Sequence, residues 1–572
     1  MKNGLNINKY IFFIILFFVL ILKPLSVLLI LLFILPGVLI LNKPSIPLFP
    51  IYSTNFYFLN ILISNIFNFK LRTTILLMSV QFLIMIVLFY KNAFKFLKLN
   101  FNFKLLNIFL LIILFMCFFK TYFNFSDSAY HLSFLNKILS NNKFLNSDPF
   151  YGENFYDIRY SFSLFIPFLS LFLFSIKNLF INNIEAVKTL WNSTHILIYF
   201  LSLVSIYSVS KKEFGKKTAE ISLFLFSIFF LFIKSNLYNG FGFSLSNYPF
   251  SLSVYVFSFL TIYVLRRKLK KEIFLISFIN SGIHIFYWGL YLIFFITEII
   301  YTFIKEKRVK LELLLIYLVG GVPVILFKFI NNPKILNAFF KDSVLIDRLF
   351  NLKYFGIGIP GFLPIISLLC MILCYKIFKK RYYFPIVGIL LVLISLISPE
   401  LSKVIKINSH KFKRIYQVFP VVFLMPPIFI FMKRKFKKTI IVLCILTFIS
   451  GFYFVYSKKN ISTLNSIPHN VIKIIKNLPN KSLILSDANT SMLIPCFSNN
   501  DIVYVHKQFT APSVNNIKQR ANAFDNFLLT GENSFNADYC LIAPNKRKKL
   551  NTKLKLLELG GGFCLIKLKE LK

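Results

Sequence analysis

Long apolar runs fill the chain up to about residue 457 and are absent after it. Between Tyr10 and Tyr456, runs of about 17 to 24 residues alternate with short basic clusters, and a run of that length suffices to cross the hydrocarbon core of a membrane. The first run continues to Leu41 without a small-residue cleavage site, which predicts a first membrane helix rather than a signal peptide. The pattern predicts a polytopic α-helical membrane domain over residues 1–457, with about 12–14 transmembrane helices.

Residues 458–572 have a different pattern. Short apolar runs bounded by turn residues, with helical stretches between them, are typical of a small α/β domain. The three glycines Gly560–Gly562 predict a turn between the last two strands. The predicted strands are Ser482–Leu485, Ile502–Val505, Tyr539–Ala543 and Phe563–Leu568, and the predicted helices lie near 470–477 and 515–529.

The positions of the charged residues predict the orientation of the membrane domain. The formal net charge is +45, but the lysines cluster at the ends of apolar runs, as in cytoplasmic loops. This placement, in a chain of mean hydropathy +0.70, argues against nucleic-acid binding. Counting crossings from the clusters at 211–217, 266–271, 305–310, 376–381 and 433–438 places the loops 331–354 and 399–415 outside the cytoplasm, together with the tail. An inner loop marked by Lys91, Lys95, Lys98 and Lys104 places the loop 121–160 outside as well. Between 161 and 210 the count requires an odd number of crossings, but two apolar runs are present, so the number of helices there stays open.

The outer loop 121–160 holds the first candidate site. It contains Asp127, Asp148, Glu153 and Asp157, four of the 21 acidic residues of the chain. Asp127 follows a predicted membrane helix and precedes His131, and a carboxylate in such a place can act as a general base on a hydroxyl. Asp127 is equally suited to cap the helix that follows it. Leu132, Leu135 and Leu139 form one stripe of that helix, which is expected to lie along the membrane surface.

The outer loop 399–415 is unusually basic. Lys403, Lys406, Lys411, Lys413 and Arg414 against Glu400 give it a charge of +4 with His410 neutral. Positive charge is scarce in outer loops, so a bound anion such as a lipid phosphate would explain it. General lysine richness is the competing explanation. A third candidate is His284 at the break Ser281-Gly282, because a His within a membrane run faces a cavity or a partner, or else is an interfacial His.

The order of these features resembles the GT-C superfamily of membrane glycosyltransferases, which includes oligosaccharyltransferases, protein mannosyltransferases and arabinofuranosyltransferases. The matching stretches are Asp127-Ser128-Ala129-Tyr130-His131, Asp148-Pro149-Phe150-Tyr151, Asn247-Tyr248-Pro249, Gly282-Ile283-His284, Arg414 followed by Pro420, and Leu485-Ser486-Asp487 through Thr490-Ser491.

The resemblance implies transfer of a hexosyl or pentosyl unit from a polyprenyl-phosphate donor to a glycan, lipid or protein acceptor, with inversion, at the outer face of the cytoplasmic membrane. Asp127 would be the general base, with His131 beside it. The donor phosphate would be held by His410, Lys411 and Arg414. Further candidates for the substrate pocket are Asp148, Tyr151, Asp157, Arg159 and His284.

The chain departs from the family at Ser128, where many members have a second acid. The further acidic motif of metal-dependent members is also missing, so no required metal and no cofactor other than the donor lipid are expected. Three alternatives stay open: a polymerase or ligase of envelope polysaccharide, a non-enzymatic transporter of lipid-linked sugar, and a degenerate member without activity.

Overall fold

The computed structural model describes residues 14–21, 24–43, 45–97, 127–144, 148–151, 165–176, 183–223, 252–331, 383, 386–387, 390, 469–505, 516–549, 557–558 and 562–568. This part of the chain is mostly helical. The helices before residue 332 are α1 (Ile14–Ile21), α2 (Pro24–Ile40), α3 (Phe49–Ile66), α4 (Leu71–Leu97), α5 (Asp127–Asn141), α6 (Phe165–Ile176), α7 (Asn183–Phe214), α8 (Ser258–Arg266, after a π turn at Ser253–Phe257), α9 (Lys270–Ile283), α10 (Ile285–Leu290), α11 (Leu292–Glu306) and α12 (Glu312–Asn331).

Two helices of the described part are long and apolar enough to cross a membrane, Leu71–Lys95 and Tyr287–Glu306. The bent pair α1 and α2 makes a third candidate if it counts as one span, with an angle of 108° between its halves. The first apolar run is thus not one straight helix, because a new helix begins at Pro24, where proline suits the first turn. Side chains of α4 such as Leu83 and Val87 are 62% and 73% exposed, as expected for a surface in lipid.

Proline and glycine set the close packing of α2 on α3. Pro36 lies inside α2 and has no N–H for the carbonyl of Leu32. The Tyr57 hydroxyl of α3 donates to that carbonyl at 2.7 Å and so satisfies it. A Cβ at Gly37 would lie 2.3 Å from the carbonyl oxygen of Phe49, so only glycine fits there.

A second close contact joins α9 to α12. A Cβ at Gly320 would lie 2.5 Å from the Phe274 carbonyl oxygen, and one at Gly321 would lie 2.4 Å from Nε1 of Trp288. The indole of Trp288 stacks on Tyr317 at 5.9 Å between ring centroids and donates to Ser277 Oγ at 2.8 Å. Small residues at a helix interface permit such approach in membrane proteins.

The tail contains a mixed five-stranded sheet with strand order β2-β1-β3-β5-β4. Strand β1 pairs in parallel with β2 and β3, whereas β5 pairs antiparallel with β3 and β4. The elements are α13 (His469–Asn477), β1 (Leu483–Ser486), α14 (Ala488–Phe497), β2 (Asp501–Ile502), α15 (Ile517–Thr530), β3 (Tyr539–Ile542), a 3-10 turn (Pro544–Lys549), β4 (Leu557–Glu558) and β5 (Cys564–Lys567).

Several predicted elements lie where the structure has them. The four predicted strands overlap β1, β2, β3 and β5, and Gly562, with φ of +78°, lies between the antiparallel strands β4 and β5. The predicted break near Ser281-Gly282 lies at His284, which is extended between α9 and α10. Helix α3 was not predicted. The predicted helices at 104–120, 355–375, 416–432 and 439–457 lie outside the described residues, as does most of those at 218–233 and 382–398.

Candidate active site

The first outer loop and the tail meet in a polar junction. Its loop side is α5, and its tail side is α14 with the residues that lead into β2. Four residues of α5 spaced as one helical stripe, Ala129, Ser133, Asn136 and Lys137, make the contacts. We call this contact the loop–tail junction.

At one end of the loop–tail junction the helices approach through small side chains. The thiol of Cys496 donates to the Ala129 carbonyl at 3.2 Å and lies 3.3 Å from Ser133 Oγ. Burial raises the pKa of Cys496 to about 12, so the thiol stays protonated at neutral pH. Cys496 therefore acts here as a small packing residue and weak donor.

At the other end of the loop–tail junction, α5 caps α14. The Asn136 amide donates to the carbonyls of Pro495 and Ser498, at 3.0 and 2.9 Å. These carbonyls lie at the C-terminal end of α14, where helical partners run out. The N-terminal end of α14 is capped by Asp487, whose Oδ1 accepts from the backbone N–H groups of Asn489 and Thr490.

An ion pair closes the loop–tail junction. Lys137 Nζ lies 2.5 Å from Asp501 Oδ1, with side-chain exposures of 7% and 33%. A lysine this buried needs a partner, because an uncompensated charge in such a site is costly. The sequence pattern did not single out Lys137 or Asp501, which are 364 residues apart.

Asp148 and Tyr151 extend the same contact. Asp148 is 1% exposed, and its Oδ1 accepts from the backbone N–H groups of Phe150 and Tyr151 at 2.7 and 3.0 Å, which holds a tight turn. The Phe150 carbonyl accepts from the N–H of Ile502, and the Tyr151 hydroxyl accepts from the N–H of Val505. Asp148 thus holds the turn, and Tyr151 joins it to the segment after β2; both side chains are buried.

The two predicted catalytic residues lie on α5. The helix begins at Asp127. His131 is 2% exposed, with its ring 5.6 Å from that of Tyr130 in an edge contact, and burial lowers the pKa of His131 to about 3. The imidazole is therefore neutral at physiological pH. Leu132 and Leu135 of the predicted surface stripe are 0% and 2% exposed, so they pack inside the protein rather than on lipid.

His284 lies between α9 and α10, where the helix is interrupted. Its backbone is extended, with φ of −158° and ψ of 102°, and its ring lies 4.8 Å from that of Tyr287. The remaining predicted site residues, Asp157, Arg159, His410, Lys411 and Arg414, lie outside the described residues. Within the described part of the chain, no three His, Cys, Asp or Glu side chains gather as a metal site would require.

A second polar cluster, which the sequence did not reveal, surrounds Arg266 at the end of α8. Its Nη1 lies 2.6 Å from Glu298 Oε2, and its Nε lies 3.8 Å from Glu213 Oε2. The guanidinium also lies over the rings of Tyr301 and Tyr383, at 4.8 and 4.6 Å from their centroids. We call these five residues the Arg266 cluster.

No family model and no curated protein matches the chain. Among solved structures, it is similar to ArnT from Cupriavidus metallidurans, bound to undecaprenyl phosphate and in the apo state, with 12% and 10% identity. These alignments cover 82% and 81% of this chain and 98% and 96% of ArnT, with TM-scores of 0.43 and 0.45. An oligosaccharyltransferase from Archaeoglobus fulgidus, in complex with Zn and sulfate, is similar at 12% identity and a TM-score of 0.43, over 75% of this chain and 64% of that one. Likeness at this level does not carry a function.

Proposed function

We propose that this protein is a GT-C-type membrane glycosyltransferase that moves a sugar from a polyprenyl-phosphate donor to an acceptor hydroxyl. The observation that carries the proposal is the position of Asp127. It begins a helix that the tail contacts at several points between Ala129 and Lys137. A carboxylate on a firmly held element is suited to catalysis, because a catalytic group has to be kept close to its productive geometry.

In the proposed reaction, Asp127 removes the proton of the acceptor hydroxyl as the oxygen attacks the anomeric carbon. The bond from that carbon to the phosphate oxygen breaks, and the lipid phosphate leaves with the bonding electrons. Attack from the face opposite to the leaving group inverts the anomeric centre. His410, Lys411 and Arg414 are proposed to stabilise the charge that grows on the phosphate.

The structure bears on the proposed role of His131. A neutral imidazole that is 2% exposed is poorly placed to meet a substrate. We therefore assign proton transfer to Asp127 alone and give His131 a packing role in α5. Asp148 and Tyr151 are similarly assigned to the fold of the site, because their polar atoms bind backbone groups.

The reaction is tested with purified protein in liposomes that contain a polyprenyl-phosphate sugar. Asp127→Asn is expected to lower sugar transfer by about 10²- to 10⁴-fold, the range for loss of a general base. Asp525→Asn serves as control, because Asp525 is an exposed carboxylate on α15. Wild-type transfer by Asp127→Asn would contradict the proposed role.

Mass spectrometry of the donor lipid tests the alternative enzymes. A single-sugar phosphate supports the proposed function, whereas a pyrophosphate-linked oligosaccharide supports a polymerase or ligase. Lipid movement across the vesicle without any transfer product would instead favour a transporter.

We further propose that the tail lies outside the cytoplasm, in a multi-pass protein of the cytoplasmic membrane. The contacts between α5 and α14 support one common side for the first loop and the tail. Ser534 is exposed and suits a label. Ser534→Cys is expected to react with a membrane-impermeant maleimide in intact cells, with the unsubstituted protein giving the background of its own cysteines. Reaction only after permeabilisation would contradict this orientation.

A further inference from the structure

The contacts of α5 differ on its two sides. Leu132 and Leu135 pack into the apolar core, where they are 0% and 2% exposed. An adjacent stripe of α5 makes directional contacts with the tail, which involve the Cys496 thiol, the Asn136 amide and the Lys137 ammonium group. Apolar packing permits a helix to slide, whereas hydrogen bonds and an ion pair fix its rotation and its position along the axis.

The ion pair lies far from Asp127 along the helix. Ten residues separate Asp127 from Lys137, about 15 Å at the rise of an α-helix. Loss of the ion pair would free this end of α5, and a shift of the helix along its axis by about 1 Å would move Asp127 by the same distance, because a helix moves as a rigid rod. Such a displacement of a reacting group can lower a rate by about 10²-fold.

We infer that Lys137 and Asp501 are positioning residues, whose ion pair holds α5 in the orientation that places Asp127 for the reaction. The inference rests on the proposed function, since it assumes that Asp127 is the base. It assigns a task to the tail, which carries Asp501 but is joined to the loop by hundreds of residues of membrane domain. In this proposal, the tail helps to position the catalytic base without itself carrying it.

The pair is tested by charge exchange. Lys137→Glu places two carboxylates together and is expected to lower kcat by about 10²-fold, the cost of a small misplacement. The KM for the donor lipid is expected to stay within about three-fold, because the phosphate is held elsewhere. Lys137→Glu with Asp501→Lys restores the pair with reversed polarity and is expected to recover kcat to within about ten-fold of wild type. Lys518→Glu reverses an exposed lysine of the tail and serves as the matched control.

Hydrogen–deuterium exchange measures docking without reference to activity. Peptides covering 127–141 and 495–505 are expected to exchange faster in Lys137→Glu and at the wild-type rate in the charge-exchanged double variant. Wild-type kcat in Lys137→Glu, or a double variant that regains protection but not kcat, would overturn the positioning role. If the wild-type protein transfers no sugar while Lys137→Glu still exchanges faster, the proposed function fails and the docking contact stands.

If Lys137→Glu does not accumulate in the membrane, two variants that introduce no like-charge repulsion replace it. Lys137→Met leaves Asp501 without its partner and is expected to lower kcat, whereas Lys137→Met with Asp501→Leu replaces the pair by apolar contact, which is often neutral or stabilising. Recovery of kcat in this double variant supports the positioning role. Equal kcat in wild type and Lys137→Met would overturn it.

Discussion

The Arg266 cluster and the His131 site bury two basic side chains in opposite ways. Arg266, 15% exposed in its side chain, keeps its charge among two carboxylates and two tyrosine rings. His131, 2% exposed, is held neutral by burial in α5. A buried cation needs partners or must lose its proton, and guanidinium cannot lose its proton in a protein. Arg266 in the membrane domain therefore depends on pairing, whereas His131 in the loop helix depends on neutrality.

The largest expected effect on stability follows from loss of Arg266. Arg266→Ala leaves Glu213 and Glu298 close together without their cation, and loss of one partner of a buried ion pair costs about 3–5 kcal/mol. Thermal unfolding in detergent is expected to show a large loss of stability. Arg266→Lys is the matched control, and its thermal stability should lie between those of the wild type and Arg266→Ala. The ammonium group keeps the charge but lacks the planar group that stacks on Tyr301 and Tyr383. Wild-type stability in Arg266→Ala would show that pairing is not what the cluster requires.

A smaller effect is expected from pH at His131. The folded pKa of about 3 lies below the ordinary value of 6.5, so the unfolded chain binds more protons between these values. Stability is then complete above about pH 6.5 and falls as pH drops towards 3, with a loss of about 2 kcal/mol between pH 7 and pH 5. His131→Asn cannot take up this proton, so its stability should fall less over the same interval. Equal slopes of stability against pH in both proteins would contradict a buried neutral imidazole.

The apolar pattern predicted where many described elements lie, because helix and strand periods are local properties of the sequence. It missed α3, in which Ser53, Asn60 and Ser64 interrupt the apolar run. Those polar residues are buried, and Asn60 donates to Gln81 Oε1 at 2.8 Å. Buried polar side chains of a helix are stabilised by hydrogen bonds to neighbouring elements, so hydropathy alone underestimates such a helix.

The candidate site was predicted in part. A carboxylate after a predicted membrane helix made Asp127 the candidate base, and this role stays a prediction. The loop segment around Asp148 contacts the tail, as α5 does. Lys137, Asn136 and Asp501 were missed because each is ordinary until a distant segment lies beside it. The stripe of small and polar residues beside the leucines of α5 was the available signal, since a helix with an apolar face and a small polar face packs against two different surfaces.

The central claim is that Asp127 supplies the chemistry while the loop–tail junction supplies its position. The most direct test measures sugar transfer and hydrogen–deuterium exchange of peptide 127–141 on the same sample of Asp127→Asn. The account predicts transfer lowered by about 10²-fold or more, with exchange unchanged from wild type. Transfer at the wild-type rate with unchanged exchange would contradict it.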